Sequence, residues 1–208
     1  MKVLVGPRAG ADDQVVSGAA RALAGPGGSV VFLRDAGVRN LSRPLSQAEV
    51  ALLRQVLRER PEAGGGEDGD GAEVLIGYVC KGVLAGRLAA SAEVVGVTDH
   101  ANLTWRSPLT GPNDDSAGPR FPSMTAVYVS EPVVSRVSAA KGMIVRPGTV
   151  AGVSDDSHLN AFEAEMTEAQ GFSAVSSELV PVVIVAAHMG LRVPAAVVVT
   201  GCSTEGVG

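Results

Sequence analysis

The chain has 208 residues, 46% of them hydrophobic, and a mean hydropathy of +0.24, enough to bury one substantial core but short for two domains. Its net charge of −5 and pI near 5.2 argue against nucleic-acid or acidic-membrane partners, which need a basic face to release counterions. Only two cysteines, Cys80 and Cys202, occur, and nothing after Met1 has the pattern of an export signal, so the expectation is a reducing, cytoplasmic protein with free thiols. No apolar run reaches the roughly 18 residues of a membrane span.

In chain order, apolar runs alternate with helical patterns, the signature of an α/β domain. Residues 2–5 read as a strand, 12–23 as a helix, 29–33 as a strand and 46–60 as a helix. In the last of these, Ser46 and Glu49 form a capping box ahead of an apolar stripe of Val50, Leu53, Val56 and Leu57. The glycine-rich acidic stretch 61–72 cannot bury apolar surface and reads as a mobile loop inside a single domain spanning 1–208. Strands are expected at 73–79, 93–97, 143–151, 174–176 and 192–200, with helices near 125–140, 157–170 and 178–189. The irregular stretch 102–123 exceeds ordinary connection lengths and points to a functional or interface loop.

That stretch lies within TDHANLTWRSPLTGPNDDSAGPRFPSM, residues 98–124. It resembles the DHINL…NPL-GPN…G-RFP-M segment of trimeric purine nucleoside phosphorylases at Asp99, His100, Asn102, Leu103, Pro108, Leu109, Gly111, Pro112, Asn113, Asp114, Gly118, Arg120, Phe121, Pro122 and Met124. A second match, VPVVIVAAHMGLRVPAAVVVT at 180–200, is similar to that family's VPEVIVARHCGLRV…SLIT. The resemblance implies a twisted mixed sheet that partly closes into a barrel, flanked by helices. It also implies a homotrimer in which Phe121 reaches into a neighbouring subunit's sugar and base pocket. Read without it, Phe121 is a core aromatic in a loop.

The family's catalytic residues are largely replaced. Asp156 matches the Glu that hydrogen-bonds the purine ring, and Asp155 stands where a Phe packs on the base. Read locally, Asp155, Asp156 and Ser157 are N-cap chemistry for the following helix. Glu178, after Ser177, stands where trimeric phosphorylases carry a phosphate-binding Ser. The hexameric phosphorylases and the nucleosidases carry Met-Glu there, with the Glu on the ribose hydroxyls, so Glu178 is a candidate for a sugar diol. It is equally an acid in the first turn of a helix. The GSGLG turn is replaced by Gly6-Pro7-Arg8-Ala9-Gly10, where Arg8 can meet an anion. The segment 34–40, where the family's GR-H-YEG motif should lie, holds Arg39 but lacks the His, and the NAAGG strand end becomes a segment holding Tyr78, Cys80 and Lys81. Thr200 remains, but the following Asn is Gly201.

His158 is placed where a ligand can sit, whereas His100 and His188 read as structural. Dispersed His and Cys residues show no metal-ligand spacing, and no cofactor is implied. The expected partner is a small, possibly nucleoside-like molecule. Three functions remain open: cleavage or transformation of a nucleoside-like substrate without phosphate, a repurposed biosynthetic enzyme catalysing cyclisation, isomerisation or elimination, and a non-catalytic binding trimer. The candidate catalytic residues are Asp156 and Glu178. The candidate binding residues are Phe121, Asp155, His158, Tyr78, Cys80, Ser177, Thr200, Arg8 and Arg39.

Overall fold

The computed structural model describes residues 1–10, 13–59, 76–84, 94–140, 143–157 and 159–202. The expected loop 61–72 and His158 therefore lie outside the described residues. Seven strands run in the order β2 (Ser29–Phe32), β1 (Lys2–Val5), β3 (Ile76–Leu84), β6 (Ala174–Ser176), β5 (Val145–Gly152), β4 (Val94–Asn102) and β7 (Ala195–Cys202). Because β3 also pairs with β7, the last five close into a barrel, from which β1 and β2 extend as a parallel wing. Within the barrel β4, β5 and β6 run together, and β3 and β7 run the opposite way. The expected α/β class and partly closed mixed sheet are thus what the chain forms.

Strands β1, β3 and β7 place apolar residues on both faces because both of those faces are covered. Leu4, Tyr78 and Val197 pack with residues of α2 (Gln47–Arg58) and α5 (Leu179–His188). Their neighbours Val3, Val5, Val79, Ala196 and Val198 pack with α1 (Gln14–Ala24) and α3 (Glu131–Ser138). Helix α2 begins at its capping box, Ser46 with Glu49, and buries the four stripe residues Val50, Leu53, Val56 and Leu57. Its last turn is held from the sheet: the ammonium of the buried Lys2 donates to the carbonyls of Val56 (2.5 Å) and Glu59 (2.6 Å). Lys2→Met strands those carbonyls and is expected to cost about 1–3 kcal/mol, read as a lowered thermal midpoint.

Two helices differ from the sequence reading. The segment 125–140 yields only Glu131–Ser138, because Tyr128 pairs with Val193 as a β-bridge and Pro132 suits a first turn. Helix α4 spans Ala161–Ala169 and is capped by Asn160, whose side chain accepts from the Glu163 N–H while Glu163 reaches back to the Asn160 N–H. Asp155-Asp156-Ser157 is consequently not the helix cap.

The long segment from Leu103 to Ser130 is fixed by the residues that make it distinctive. The Asn113 amide oxygen accepts from His188 Nε2 at 3.2 Å, and its amide nitrogen donates to the Gly118 carbonyl at 3.1 Å. Asp114 pairs with Arg54 of α2 at 3.1 Å, Gln47 of α2 donates to the Thr110 carbonyl, and Arg120 donates to the Gly111 carbonyl. Burial lowers the pKa of His188, helped by the Arg54 charge and opposed by Asp114, so the ring is neutral at neutral pH.

Candidate active site: a buried acidic pair bridged by Arg8

Four pieces of backbone converge beside the barrel: the turn after β1, the middle of β3, the loop after β5 and the junction of β6 with α5. From them come Arg8, Lys81, Asp156 and Ser176–Glu178. Arg8 grips Asp156 with both terminal nitrogens, one of them at 2.7 Å, and its Nε lies 3.3 Å from Glu178 Oε2. Asp156 also accepts from the Ser177 N–H (3.1 Å) and hydroxyl (3.2 Å). Glu178 accepts from the Arg8 N–H at 2.8 Å and the Lys81 N–H at 3.3 Å. Both carboxylates have side chains only 1% exposed, whereas the Arg8 side chain is 37% exposed.

Glycine makes this packing possible at one point. A Cβ on Gly6 would stand 2.9 Å from Glu178 Oε2 and 3.1 Å from Cys80 Cβ, so only a bare backbone lets the carboxylate approach. Around the cluster, Ser176 donates to the Lys81 carbonyl and accepts the Glu178 N–H. Lys81 in turn pairs with Asp13, the N-cap of α1, at 2.7 Å. Burial raises the Glu178 pKa above the ordinary carboxylate value, against the pull of Arg8 and the two backbone donors.

The structure brings several candidate residues together. Arg8, Arg39, Ser177 and Glu178, with Pro7 and Ser42, wall a pocket of about 170 Å³, and Asp156 lies behind Arg8. An apolar groove lined by Leu45, Pro108, Val180 and Ile184 adjoins it, sharing Leu41 and Ser42. Other candidates sit elsewhere. Tyr78 and Cys80 are 1% and 0% exposed; the Tyr78 hydroxyl donates to the Glu178 carbonyl and the Cys80 sulfur lies 3.6 Å from the Ser176 hydroxyl. Burial, then the Glu178 charge, pushes the thiol pKa far up, so Cys80 is a core residue and not a poised nucleophile. Asp155 is exposed and accepts from Ser157 in a local turn, and Thr200 donates to the Gly82 carbonyl. Phe121 is 85% exposed, with the Arg120 guanidinium 5.9 Å from its ring centroid.

Sequence reasoning passed over Trp105, the only tryptophan, which is 91% exposed and has φ +57°. It sits between Thr104 and Arg106, which line the apolar groove, on a turn tied by Asn102 to the Thr104 hydroxyl and the Arg106 carbonyl. Its position inside the loop singled out at 102–123 was the available signal. Among the described residues no cluster of three or more His, Cys, Asp or Glu is arranged to hold a metal, and no helix is long and apolar enough to cross a membrane.

A closed mixed barrel with a parallel wing, helices packed on its strands and a polar pocket beside the barrel define the α/β class of the protein. The sequence profile of the Phosphorylase superfamily matches residues 70–206, and the chain belongs to that family. It is 30% identical over 105 residues to purine nucleoside phosphorylase 1 of Bacillus subtilis (strain 168), a match covering 50% of this chain and 39% of that protein. The Geobacillus stearothermophilus phosphorylase 1 is 34% identical over 99 residues, covering 47% and 36%. The Mus musculus purine nucleoside phosphorylase is 33% identical over 108 residues, covering 49% and 37%. The matched stretch thus spans less than two fifths of these relatives' length. Among solved structures, the Schistosoma mansoni purine nucleoside phosphorylase in complex with BCX-34 superposes with a TM-score of 0.57 at 23% identity, over 64% of this chain and 53% of that one. Its inosine complex gives 0.56 at 24% identity, over 64% and 50%. At that identity the likeness carries the fold.

Proposed function

We propose that this chain is a small-molecule enzyme on a phosphorylase scaffold that transforms or cleaves a nucleoside-like substrate without using phosphate. The observation that carries this reading is the Asp156–Arg8–Glu178 cluster: two buried carboxylates against one guanidinium, with Arg8 and Glu178 at the wall of a small polar pocket and Asp156 behind Arg8. Similarity to nucleoside phosphorylases supplies the substrate class, and the acidic pair argues against phosphate, because an added dianion would lie beside negative charge in a poorly solvated site. In a hydrolytic cleavage the oxygen of water bonds to the anomeric carbon, the bond to the base nitrogen breaks, and a proton passes to the departing base. Asp156 would meet the base, Glu178 the sugar hydroxyls and the proton, and a ligand reaching Asp156 takes over contacts now made by Arg8.

The pocket of about 170 Å³ is smaller than the ~300–1,000 Å³ of ordinary ligand sites. We therefore propose a homotrimer in which a neighbour's exposed Phe121 completes the site over the apolar groove. Light scattering is expected to show a trimer, and a folded monomer at working concentration would overturn it. Phe121→Ala is expected to weaken ligand binding or turnover while leaving the melting temperature of each subunit nearly unchanged.

For the chemistry, the protein is expected to release no hypoxanthine from inosine in proportion to added phosphate. Asp156→Asn and Glu178→Gln, which keep shape and remove charge, are each expected to lower turnover of an accepted nucleoside at least tenfold. Phosphate-dependent release, or full turnover by both variants, would sink the reading.

A further inference from the structure

Among the described residues, both histidines grip the same piece of chain. His188, at the end of α5, meets Asn113, and His100, on β4, meets Tyr128; Phe121 lies between the two attachments. At the first, the Arg54 guanidinium stands 3.4 Å from Nδ1 and has only protons to offer, so Nδ1 accepts and Nε2 donates to the Asn113 amide oxygen. Both ring nitrogens are thus engaged, and His188 is 0% exposed. The segment itself covers the ring: a Cβ on Gly118 would lie 3.5 Å from the His188 Cγ. A second proton turns Nδ1 into a donor facing a guanidinium, at a place closed to water. The charged groups facing this ring are Arg54 of α2, which opposes the proton, and Asp114 of the segment, which favours it but is already paired with Arg54. At the second attachment, the Tyr128 hydroxyl and His100 Nδ1 lie 2.7 Å apart, with the two rings edge to face. A protonated His100 donates at Nδ1, and the phenol proton must then turn to another acceptor. Asp99, its neighbour on β4, is the charged group that faces this ring.

We infer that His188 and His100 form a proton-released clamp, which seats Phe121 while both rings are neutral and lets residues 111–124 lift on acidification. Burial lowers the pKa of both rings; Arg54 adds to this at His188, while Asp114 and Asp99 oppose it at their respective rings. A ring whose seated pKa is depressed adds stability that is fully present above its ordinary value, about 6.5, and is lost as pH falls through the seated one. Opening therefore grows below about pH 6.5. Glu178, whose pKa burial raises, sits at the other end of α5 from His188 and serves as the control.

The test reads local opening and not turnover, so it stands apart from the proposed reaction. Amide hydrogen exchange of the full-length protein is followed from pH 7.5 to 5 and corrected for the intrinsic chemical rate, with β1 and α1 as the internal reference. Opening of 111–124 is expected to rise by roughly fivefold or more while β1 and α1 stay protected. His188→Gln and His100→Gln each keep a neutral donor and acceptor, and in the double variant the rise is expected to vanish. Glu178→Gln is expected to leave it intact. Arg54→Gln removes the charge that opposes the proton, so the His188 ring, followed by its NMR shift, is expected to titrate about half a pH unit or more above its position in the parent. That arm decides the matter if the histidine variants do not fold. The inference is overturned if opening of 111–124 in the parent is flat with pH, or if β1 and α1 open together with it. It is equally overturned if the rise survives without both histidines, if it disappears in Glu178→Gln, or if Arg54→Gln leaves the His188 titration where it was.

Discussion

Arg8→Met is expected to lower the thermal midpoint by about 6–12 °C at neutral pH, with the deficit shrinking as the solution is acidified. The substitution removes the bidentate partner of Asp156 and the Nε contact of Glu178 while leaving both carboxylates 1% exposed. Breaking a buried pair costs roughly 3–5 kcal/mol because the remaining charge has lost its partner. Arg8 itself is 37% exposed, so water re-enters and the cost falls to about 3 kcal/mol at the low end of that range. In a chain of this length each kilocalorie moves the midpoint by about 2–4 °C. The direction with pH follows from which protonation state the fold tolerates. Burial already raises the Glu178 pKa against the opposing pull of Arg8, and removing Arg8 raises it further. A carboxyl whose folded pKa exceeds its unfolded value adds stability that is fully present below the unfolded value, about 4.3, and is lost as pH rises through the folded one. Melting curves of parent and variant from pH 4.5 to 8 should therefore diverge upward in pH, and Glu178→Gln in the Arg8→Met background should remove most of that pH dependence. A pH-independent deficit would mean that Arg8 matters only through packing.

What the sequence disclosed and what it hid have separate physical causes. Strands and caps are local: Ser46 and Glu49 meet across one turn, and the stripe Val50, Leu53, Val56 and Leu57 follows from helical periodicity, so α2 could be read directly. The closure of β3 onto β7 joins residues more than a hundred positions apart, and periodicity carries no sign of it; resemblance to a family did. The site shows the same division. Asp156 and Glu178 were marked as a pair by motif position, and Arg8 only as a residue able to meet an anion. That the guanidinium meets these two carboxylates depends on contacts 148 and 170 residues apart, which no local pattern encodes. Tyr78 and Cys80 were read as site-facing because they lie at a strand end near the motif. Strand alternation in fact turns Tyr78 and Cys80 to one buried face and Val79 to the other. The Asp155–Ser157 cluster suited a helix cap, but Asn160 with Glu163 offered a complete capping box, and the helix starts there.

Gly118→Ala is expected to be among the most damaging single-methyl additions in the chain, costing about 2–4 kcal/mol and detaching the segment that carries Phe121. A Cβ on Gly118 would overlap the carbonyl oxygen of His188 and reach 2.8 Å from its carbonyl carbon. The obstacle is backbone at the end of α5 and cannot rotate away, so overpacking here forces one element to move. The weaker element is the loop, held by Asn113 on His188, Asp114 on Arg54 and Gln47 on Thr110. Lifting residue 118 breaks the Asn113 bridge, because the same amide donates to the Gly118 carbonyl. His188, 0% exposed and with its charged form disfavoured by burial and Arg54, then opens to water. Gly27 supplies the control: its φ is +72° but nothing lies within 4 Å of a Cβ placed there, so Gly27→Ala meets only backbone strain of about 1–2 kcal/mol. If sterics against α5 govern the loop, Gly118→Ala shows raised proteolytic cleavage and hydrogen exchange across 111–124, while Gly27→Ala leaves those residues protected. Equal protection of 111–124 in both variants would show that the segment is held by something other than its seat on α5. Because Phe121 lies three residues beyond the clash, Gly118→Ala is also expected to lower ligand affinity as far as Phe121→Ala does, through displacement of the ring and not its removal.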